Sequence, residues 1–163
     1  GILNKFSFEN SLRDTLNARD ESHECALLLV DIDNMKRMND ELGKLVGDMF
    51  LENVAEFLTS IFCGSDIIGR VGGDEFMVYV RNLKSEDWLA GKCSRIQHEI
   101  KAISNENGNI NMTCSIGAAV AGKVPVSFEQ MYTQADDSLY KAKTRGRGKY
   151  VLHYVHKERE VIR

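Results

Sequence analysis

Proline is almost missing from this sequence: Pro125 stands alone, and no low-complexity tract or repeat accompanies it, so nothing reads as an internal linker. Long apolar runs are missing too. No stretch reaches the roughly 20 residues that a membrane-spanning helix needs, and no basic-then-apolar segment opens the chain, so no membrane contact is expected of this domain. A dominant charge sign is also absent, because 28% charged residues leave a net charge of only -3. That balance argues against a surface built for nucleic acid, and any anion site must be local. Cysteine is sparse: Cys25, Cys63, Cys93 and Cys114 are scattered singly, with neither zinc-ligand spacing nor the density of a disulfide scaffold. A reducing cytoplasm suits them. Cys25 and Cys114 lie in or beside apolar runs and are expected to be buried, inert thiols.

What remains is ample core material. A hydrophobic content of 43% in 163 residues fills one sizeable core, so residues 1–163 are expected to form a single domain. The chain opens at Gly1 and turns helical within a few residues, which predicts a piece of a longer protein. Its setting is expected to be cytoplasmic, either free or as the cytoplasmic part of a membrane-anchored protein.

Periodicity predicts the element order. Phe6, Phe8, Leu12 and Leu16 recur at helical spacing. The run Ala26 to Val30, ending in Asp31-Ile32-Asp33, reads as a buried strand with acids at its C-terminal end, the edge where open α/β sheets hold ligands. A long helix follows over Lys44 to Phe62, with Val46, Phe50, Val54, Phe57 or Leu58, and Ile61 on one face. Ile67 to Val71 and Phe76 to Val80 form a hairpin around Gly72-Gly73-Asp74-Glu75. Next come a helix over Ser85 to Ile103 capped by Ser85, a turn at Asn107-Gly108-Asn109, and a strand over Asn111 to Val120. A helix over Ser127 to Thr144, with Phe128, Met131, Tyr132, Ala135, Leu139 and Ala142 on its stripe, precedes a closing strand at Tyr150 to Tyr154. The order α, β, α, β-hairpin, α, β, α, β implies an α/β (α+β) fold with a mixed sheet packed against helices.

Four features can carry chemistry. Asp31 and Asp33 end the first strand, and Asp74 and Glu75 sit at the hairpin tip. If these strands are neighbours, the acids converge and a hard cation such as magnesium relieves their repulsion while bridging phosphate oxygens. Gly72 and Gly73 either clear space for a triphosphate or supply positive φ to the turn. Read bare, the same four residues are an ordinary solvated hairpin tip. Lys141, Lys143, Arg145, Arg147 and Lys149 cluster at and beyond a helix end, where cations complement the helix dipole by default and otherwise can hold a polyphosphate. Asn39 and Asp48 flank Gly43 and Gly47. An amide with a carboxylate can read guanine through its N1 and exocyclic amine hydrogens, although Asn39 can equally cap a turn and Asp48 can sit in a first helical turn.

Taken in order, these segments resemble the GGDEF family of diguanylate cyclases from residue 1 to about Tyr154. Gly1-Ile2-Leu3-Asn4-Lys5 is similar to the end of the family's opening segment, with Lys5 where arginine is usual. Asp31-Ile32-Asp33, Met35-Lys36, Asn39-Asp40, Gly43 and Gly47-Asp48 match its metal and guanine segment. Gly72-Gly73-Asp74-Glu75-Phe76 is the signature, Ser115-Ile116-Gly117 a later strand, and Ala135-Asp136, Leu139-Tyr140, Ala142-Lys143 and Gly146-Arg147 the last helix. The resemblance implies a palm-like domain similar to class III nucleotide cyclases, which binds GTP and, as a homodimer, condenses two GTP into cyclic di-GMP and two pyrophosphates.

By that resemblance Asp31, the Ile32 carbonyl, Asp74 and Glu75 hold magnesium, with manganese as a substitute. Asn39 and Asp48 hold guanine, Met35, Lys36, Gly72 and Gly73 border the nucleotide, Lys143 and Arg147 grip the terminal phosphates, and Asp74 or Glu75 assists deprotonation. An upstream sensory or regulatory domain is implied as well. The departures are specific. Cys63-Gly64-Ser65-Asp66 stands where many members carry the Arg-x-x-Asp product-inhibition site, and the arginine is missing, which predicts weak feedback. Met35 replaces a common phenylalanine, Lys44 a histidine, and Gly148 an asparagine whose loss is expected to affect only the turn. A catalytically silent GTP-binding module and a cyclic GMP-AMP synthase are the alternatives. The intact signature and intact Asp48 argue against them.

Overall fold

The computed structural model describes residues 2–106, 108, 110–156 and 160–163. Its frame is a seven-stranded sheet in the order β1-β3-β4-β2-β5-β6-β7. The strands are β1 (Leu3–Asn4), β2 (Cys25–Ile32), β3 (Ile67–Arg70), β4 (Glu75–Val80), β5 (Cys114–Ala121), β6 (Tyr150–Tyr154) and β7 (Glu160–Ile162). β1 runs parallel to β3 and β5 parallel to β6, while every other neighbouring pair is antiparallel. The central strand, β2, is apolar through Val30 because both of its faces are covered, and all eight of its residues are buried.

The helices are α1 (Lys5–Asn17), α2 (Met35–Leu42), α3 (Lys44–Ile61), α4 (Glu86–Glu106) and α5 (Phe128–Thr144). Strand alternation divides the core in two. Leu28 and Val30 of β2 with Phe76 and Val78 of β4 meet Phe50, Val54 and Leu58 of α3 and Ile96 and Ile100 of α4. Leu27 and Leu29 with Met77 and Tyr79 meet Phe8 and Leu12 of α1 and Met131, Ala135 and Leu139 of α5. α5 lies unusually close to β5: a Cβ on Gly117 would stand 2.2 Å from the Ala135 carbonyl oxygen. Glycine is therefore a packing requirement at that crossing.

The helix starts follow local chemistry. The Asn4 side chain accepts from the Ser7 N–H at 2.9 Å and opens α1. Ser85 accepts from the Trp88 N–H at the start of α4. Ser127 and Gln130 form a reciprocal capping box on α5.

The expected mixed sheet flanked by helices is present, with several refinements. Phe6 is 75% exposed and does not belong to the buried stripe of α1, which Phe8, Leu12 and Leu16 make. On α3 it is Leu58 that is buried. The strand expected from Asn111 begins at Cys114, because Met112 donates instead to the Ile110 carbonyl and the Ser104 hydroxyl. The expected turn at Asn107-Gly108-Asn109 involves Asn107 and Asn109, which lie outside the described residues. β1, α2 and β7 add to the expected order. α2 exists because Asn34 adopts a left-handed backbone, φ 59°, and turns the chain sharply out of β2. No helix among the described residues is long and apolar enough to cross a membrane.

Candidate active site

The C-terminal end of β2 and the start of β4 bring the two acidic segments together. Asp31 is the direct cross-strand partner of Glu75, and the Ile32 N–H donates to the Asp74 carbonyl at 3.0 Å. Burial pushes the Asp31 carboxyl up from its usual value; Lys143 opposes this, and the charges of Asp74 and Glu75 reinforce it. Lys143 Nζ stands 2.9 Å from Asp31 Oδ2. Asp31, Asp74 and Glu75 thus lie within electrostatic reach of one another, with Lys143 on Asp31, and carboxylate oxygens are the donors that suit a hard divalent cation. No group of three or more acidic, histidine or cysteine side chains among the described residues is already gathered in metal-binding geometry, so such an ion would have to draw these carboxylates inward.

Asp33 behaves differently from Asp31. It is 2% exposed and turned into the protein. Its Oδ2 accepts from Thr113 Oγ1 at 2.7 Å and from the Gly148 N–H at 3.1 Å, and its Oδ1 accepts from Ser115 Oγ at 2.9 Å. Arg147 Nε lies 3.7 Å from Oδ1. The expected pairing of Asp31 with Asp33 in one cluster is therefore corrected: the chain leaves β2 after Ile32, so Asp31 stays beside Glu75 in the sheet while Asp33, in the turn that follows, is drawn inward by Thr113, Ser115 and Gly148. The Gly148 N–H is one of that anchor's donors, a backbone contact that asparagine would make equally, and its φ of 58° is the turn's requirement.

A cleft of about 650 Å³ adjoins the acids and is lined by Met35, Lys36, Asn39, Asp48, Gly73 and Asp74, together with Lys44 and Arg70. Neither ordinary reading of its polar pair survives. α3 has no side-chain cap and no acid in its first turn, so Asn39 does not cap it and Asp48 does not serve its dipole. Gly47 is what lets the amide in, for a Cβ there would fall 2.0 Å from Asn39 Oδ1. Lys44 both opens α3 and lines the cleft.

The glycines of the hairpin tip are not needed for positive φ, which neither adopts. A Cβ on Gly72 would meet Glu75 Oε2 at 2.7 Å, whereas one on Gly73 would meet nothing within 4 Å, so the first makes room for a carboxylate and the second leaves the tip open. Arg70 pins this tip, its Nε and Nη2 donating to the Gly73 carbonyl at 3.2 and 2.6 Å. Arg70 escaped the sequence reading, and its only signal there is a cation ending a strand just before the double glycine.

The basic run is divided by the fold. Lys143 reaches Asp31 and Arg147 reaches Asp33, while Lys141 pairs with Glu160 of β7. Arg147 is held at φ 57° between Gly146 at 108° and Gly148 at 58°, three consecutive left-handed residues that turn α5 toward the acidic edge.

Comparison with known proteins decides what this arrangement belongs to. The family model for the diguanylate cyclase GGDEF domain matches residues 1–149. The chain belongs to the GGDEF family. It is 33% identical over 154 residues to diguanylate cyclase DgcS of Shewanella oneidensis, covering 93% of this chain and 50% of that protein. It thus spans half the length of that curated relative. Among solved structures it is similar to a microbial GGDEF domain described in its interaction with cyclic di-GMP, with a TM-score of 0.78 and 30% identity over 94% of this chain and 91% of the other. It is also similar to the GGDEF domain of YfiN from Pseudomonas aeruginosa, with a TM-score of 0.72 and 27% identity over 97% and 99% of the two chains. The palm-like cyclase fold expected from sequence is the fold of this family.

Proposed function

We propose that this domain is a diguanylate cyclase, and that two copies condense two GTP molecules into cyclic di-GMP and two pyrophosphates. The observation that carries the reading is the pairing of Asp31 with Glu75 across β2 and β4, at the lip of the cleft that holds Asn39 and Asp48. Each copy supplies half of the reaction. Asp48 accepts the N1 and exocyclic amine hydrogens of guanine while the Asn39 amide fixes the edge of the base, and adenine lacks that donor pair. Met35 and Lys36 at the start of α2, with Gly72 and Gly73, border the triphosphate. Lys143 and Arg147 hold its terminal phosphates.

Asp31, the Ile32 carbonyl, Asp74 and Glu75 would hold magnesium, or manganese in its place. A bound divalent cation supplies charge neutralisation at the phosphate and acidifies the attacking hydroxyl. The 3′-oxygen of one GTP forms a bond to the α-phosphorus of the other, its proton passes to Asp74 or Glu75, and the bond to the β-phosphate oxygen breaks with pyrophosphate taking the electron pair. The dimer contributes orientation, since each half-site alone holds only one reactant. The domain works in the cytoplasm beneath an upstream sensory or regulatory domain that controls pairing. Feedback is weak. The Asp66 carboxylate ties its own loop by accepting from the N–H groups of Cys63 and Arg81, and no arginine stands at position 63 to meet a guanine or phosphate.

Product analysis by mass spectrometry after incubating an artificially dimerised domain with GTP and magnesium tests the reading. Cyclic di-GMP is expected, lost in Asp74→Ala. Bound GTP with no product under enforced pairing would show a silent module, and a mixed product with ATP present would show a cyclic GMP-AMP synthase.

A further inference from the structure

The tip of the β3–β4 hairpin carries Asp74 and Glu75, and three consecutive carbonyls in it are held. The Asp74 carbonyl accepts from the Ile32 N–H at 3.0 Å, and the Glu75 carbonyl accepts from the N–H groups of Val71 and Gly72 at 2.9 and 3.3 Å. Those bonds run from backbone to backbone and do not depend on any side chain. The Gly73 carbonyl differs. No backbone N–H among the described residues reaches it, and Arg70 holds it through Nε at 3.2 Å and Nη2 at 2.6 Å. A side chain therefore closes the part of the tip that the backbone leaves open.

That part needs closing. Gly72 and Gly73 directly precede Asp74, and glycine has the most backbone freedom to lose when it is ordered. A Cβ on Gly73 would meet nothing within 4 Å, so neighbouring side chains do not restrain it either. The acids of this edge are not gathered in metal-binding geometry, and closing on an ion requires them to move. With the carbonyls of Gly73, Asp74 and Glu75 fixed, the side-chain torsions of the two acids are all that remains to adjust. Without the Gly73 bond, the backbone before Asp74 must be ordered by the ion as well, and that entropy comes off the ion's affinity.

Arg70 is available for this task and shaped for it. It ends β3 opposite Phe76, is half-buried, and makes no ion pair among the described residues. A planar guanidinium can aim two N–H groups at one carbonyl from a fixed fork, whereas a lysine ammonium is a point charge on a flexible stem. Arg70 also lines the cleft of Asn39 and Asp48, so direct contact with the nucleotide is the competing role. The two nitrogens already spent on Gly73 argue against it.

We propose that Arg70 is a positioning residue for the cation site, fixing the Gly73 peptide so that Asp74 and Glu75 can close on a divalent ion opposite Asp31. This rests on the reading of those acids as the metal ligands of a cyclase. Calorimetry with 3′-deoxy-GTP, which has no 3′-hydroxyl and cannot condense, tests it by comparing affinity in saturating magnesium with affinity in EDTA. In the wild-type domain magnesium is expected to tighten binding. Arg70→Met should cut that tightening about tenfold, the ordering of roughly one backbone residue, and leave the EDTA affinity within about twofold of wild type. Arg70→Lys, which keeps the charge and loses the fork, should cut it about threefold, and this variant decides the matter if Arg70→Met does not fold. Undiminished tightening in the folded variants would overturn the proposal. So would an EDTA affinity that falls as far as the magnesium affinity, because the guanidinium would then act on the nucleotide itself. An Asp31→Ala control separates the two levels: tightening that survives it, or none in the wild-type domain, would remove the cation reading and this proposal with it.

Discussion

Replacing Asp33 by alanine removes an acceptor on which two distant segments converge, the start of β5 and the loop after α5. The carboxylate receives the hydroxyls of Thr113 and Ser115 and the N–H of Gly148 at 2.7, 2.9 and 3.1 Å, and Ser115 is itself fully buried. Each hydrogen bond to a charged acceptor contributes about 1.5 kcal/mol or more, and the donors left behind cannot all reach water, so the loss should be about 4 kcal/mol. No contribution is assigned to Arg147, whose half-exposed side chain at 3.7 Å is screened. Asp33→Asn keeps one acceptor oxygen and should lose about half as much, while Thr113→Val removes a single donor and should lose about 1 kcal/mol. Equilibrium unfolding in urea measures all three, and the milder variants keep the series readable if the alanine variant does not fold. A second effect separates anchoring from bulk stability. Left-handed backbone at a non-glycine residue costs about 1 kcal/mol, so Arg147 needs the Gly148 tether to stay at φ 57°. Asp33→Asn should therefore raise the KM for GTP in the folded fraction several-fold, with kcat less affected. An Asp33→Ala variant that loses under about 1 kcal/mol would refute the reasoning, because that is the contribution of only one such bond.

Three further outcomes are expected. Gly47→Ala places a methyl 2.0 Å from Asn39 Oδ1 and must swing the amide aside, so calorimetry should show GTP affinity falling about tenfold, the equivalent of one lost hydrogen bond, while α3 keeps its thermal stability. Gly117→Ala drives a methyl into backbone atoms of Ala135 and Leu139 at 2.2 Å, where no rotamer change helps, and denaturant unfolding should show a loss of about 3 kcal/mol or more as α5 lifts from β5. Burial pushes the Cys93 thiol up to about 12 from an ordinary 9.0. A thiol raised on folding contributes stability that is complete below the unfolded value and lost as pH climbs to the folded one, so the unfolding free energy should fall between pH 9 and about 12. Cys25 and Cys114 shift in the same direction, and Cys93→Ala should flatten the decline without abolishing it.

How much of this was readable in advance depended on the distance over which each feature is specified. Helix and strand positions followed from local periodicity, and α5 and β6 matched closely because their apolar stripe and capping box are self-contained. The acids at the end of β2 were visible as acids. Their division of labour was not, because the partners of Asp33 lie 80, 82 and 115 residues away, just before and within β5 and in the loop after α5. α2 was hidden for a different reason: its entry depends on a left-handed Asn34, which no hydrophobic period announces. Arg70 likewise matters only through the Gly73 carbonyl that the hairpin folds back onto it.

The basic run shows the same logic at its clearest. In sequence Lys141, Lys143 and Arg147 are equivalent cations near a helix end, and the dipole alone would account for all of them. The fold breaks the equivalence. Successive residues on α5 point in different directions, so Lys141 is claimed by Glu160 of the last strand while Lys143 reaches Asp31 at the acidic edge. Arg147 lies past the helix end and reaches that edge only through three left-handed residues held by a buried carboxylate. A cation's role here is set by where the backbone before it turns, and that turn is fixed by Asp33, a residue 114 positions earlier than Arg147. Exchanging the charges of Lys141 and Glu160 should therefore leave GTP affinity unchanged, whereas Lys143→Glu should abolish measurable binding by placing a fourth carboxylate beside Asp31, Asp74 and Glu75. Equal losses in both variants would mean that the run acts as a diffuse patch, and the assignment of Lys143 would fall.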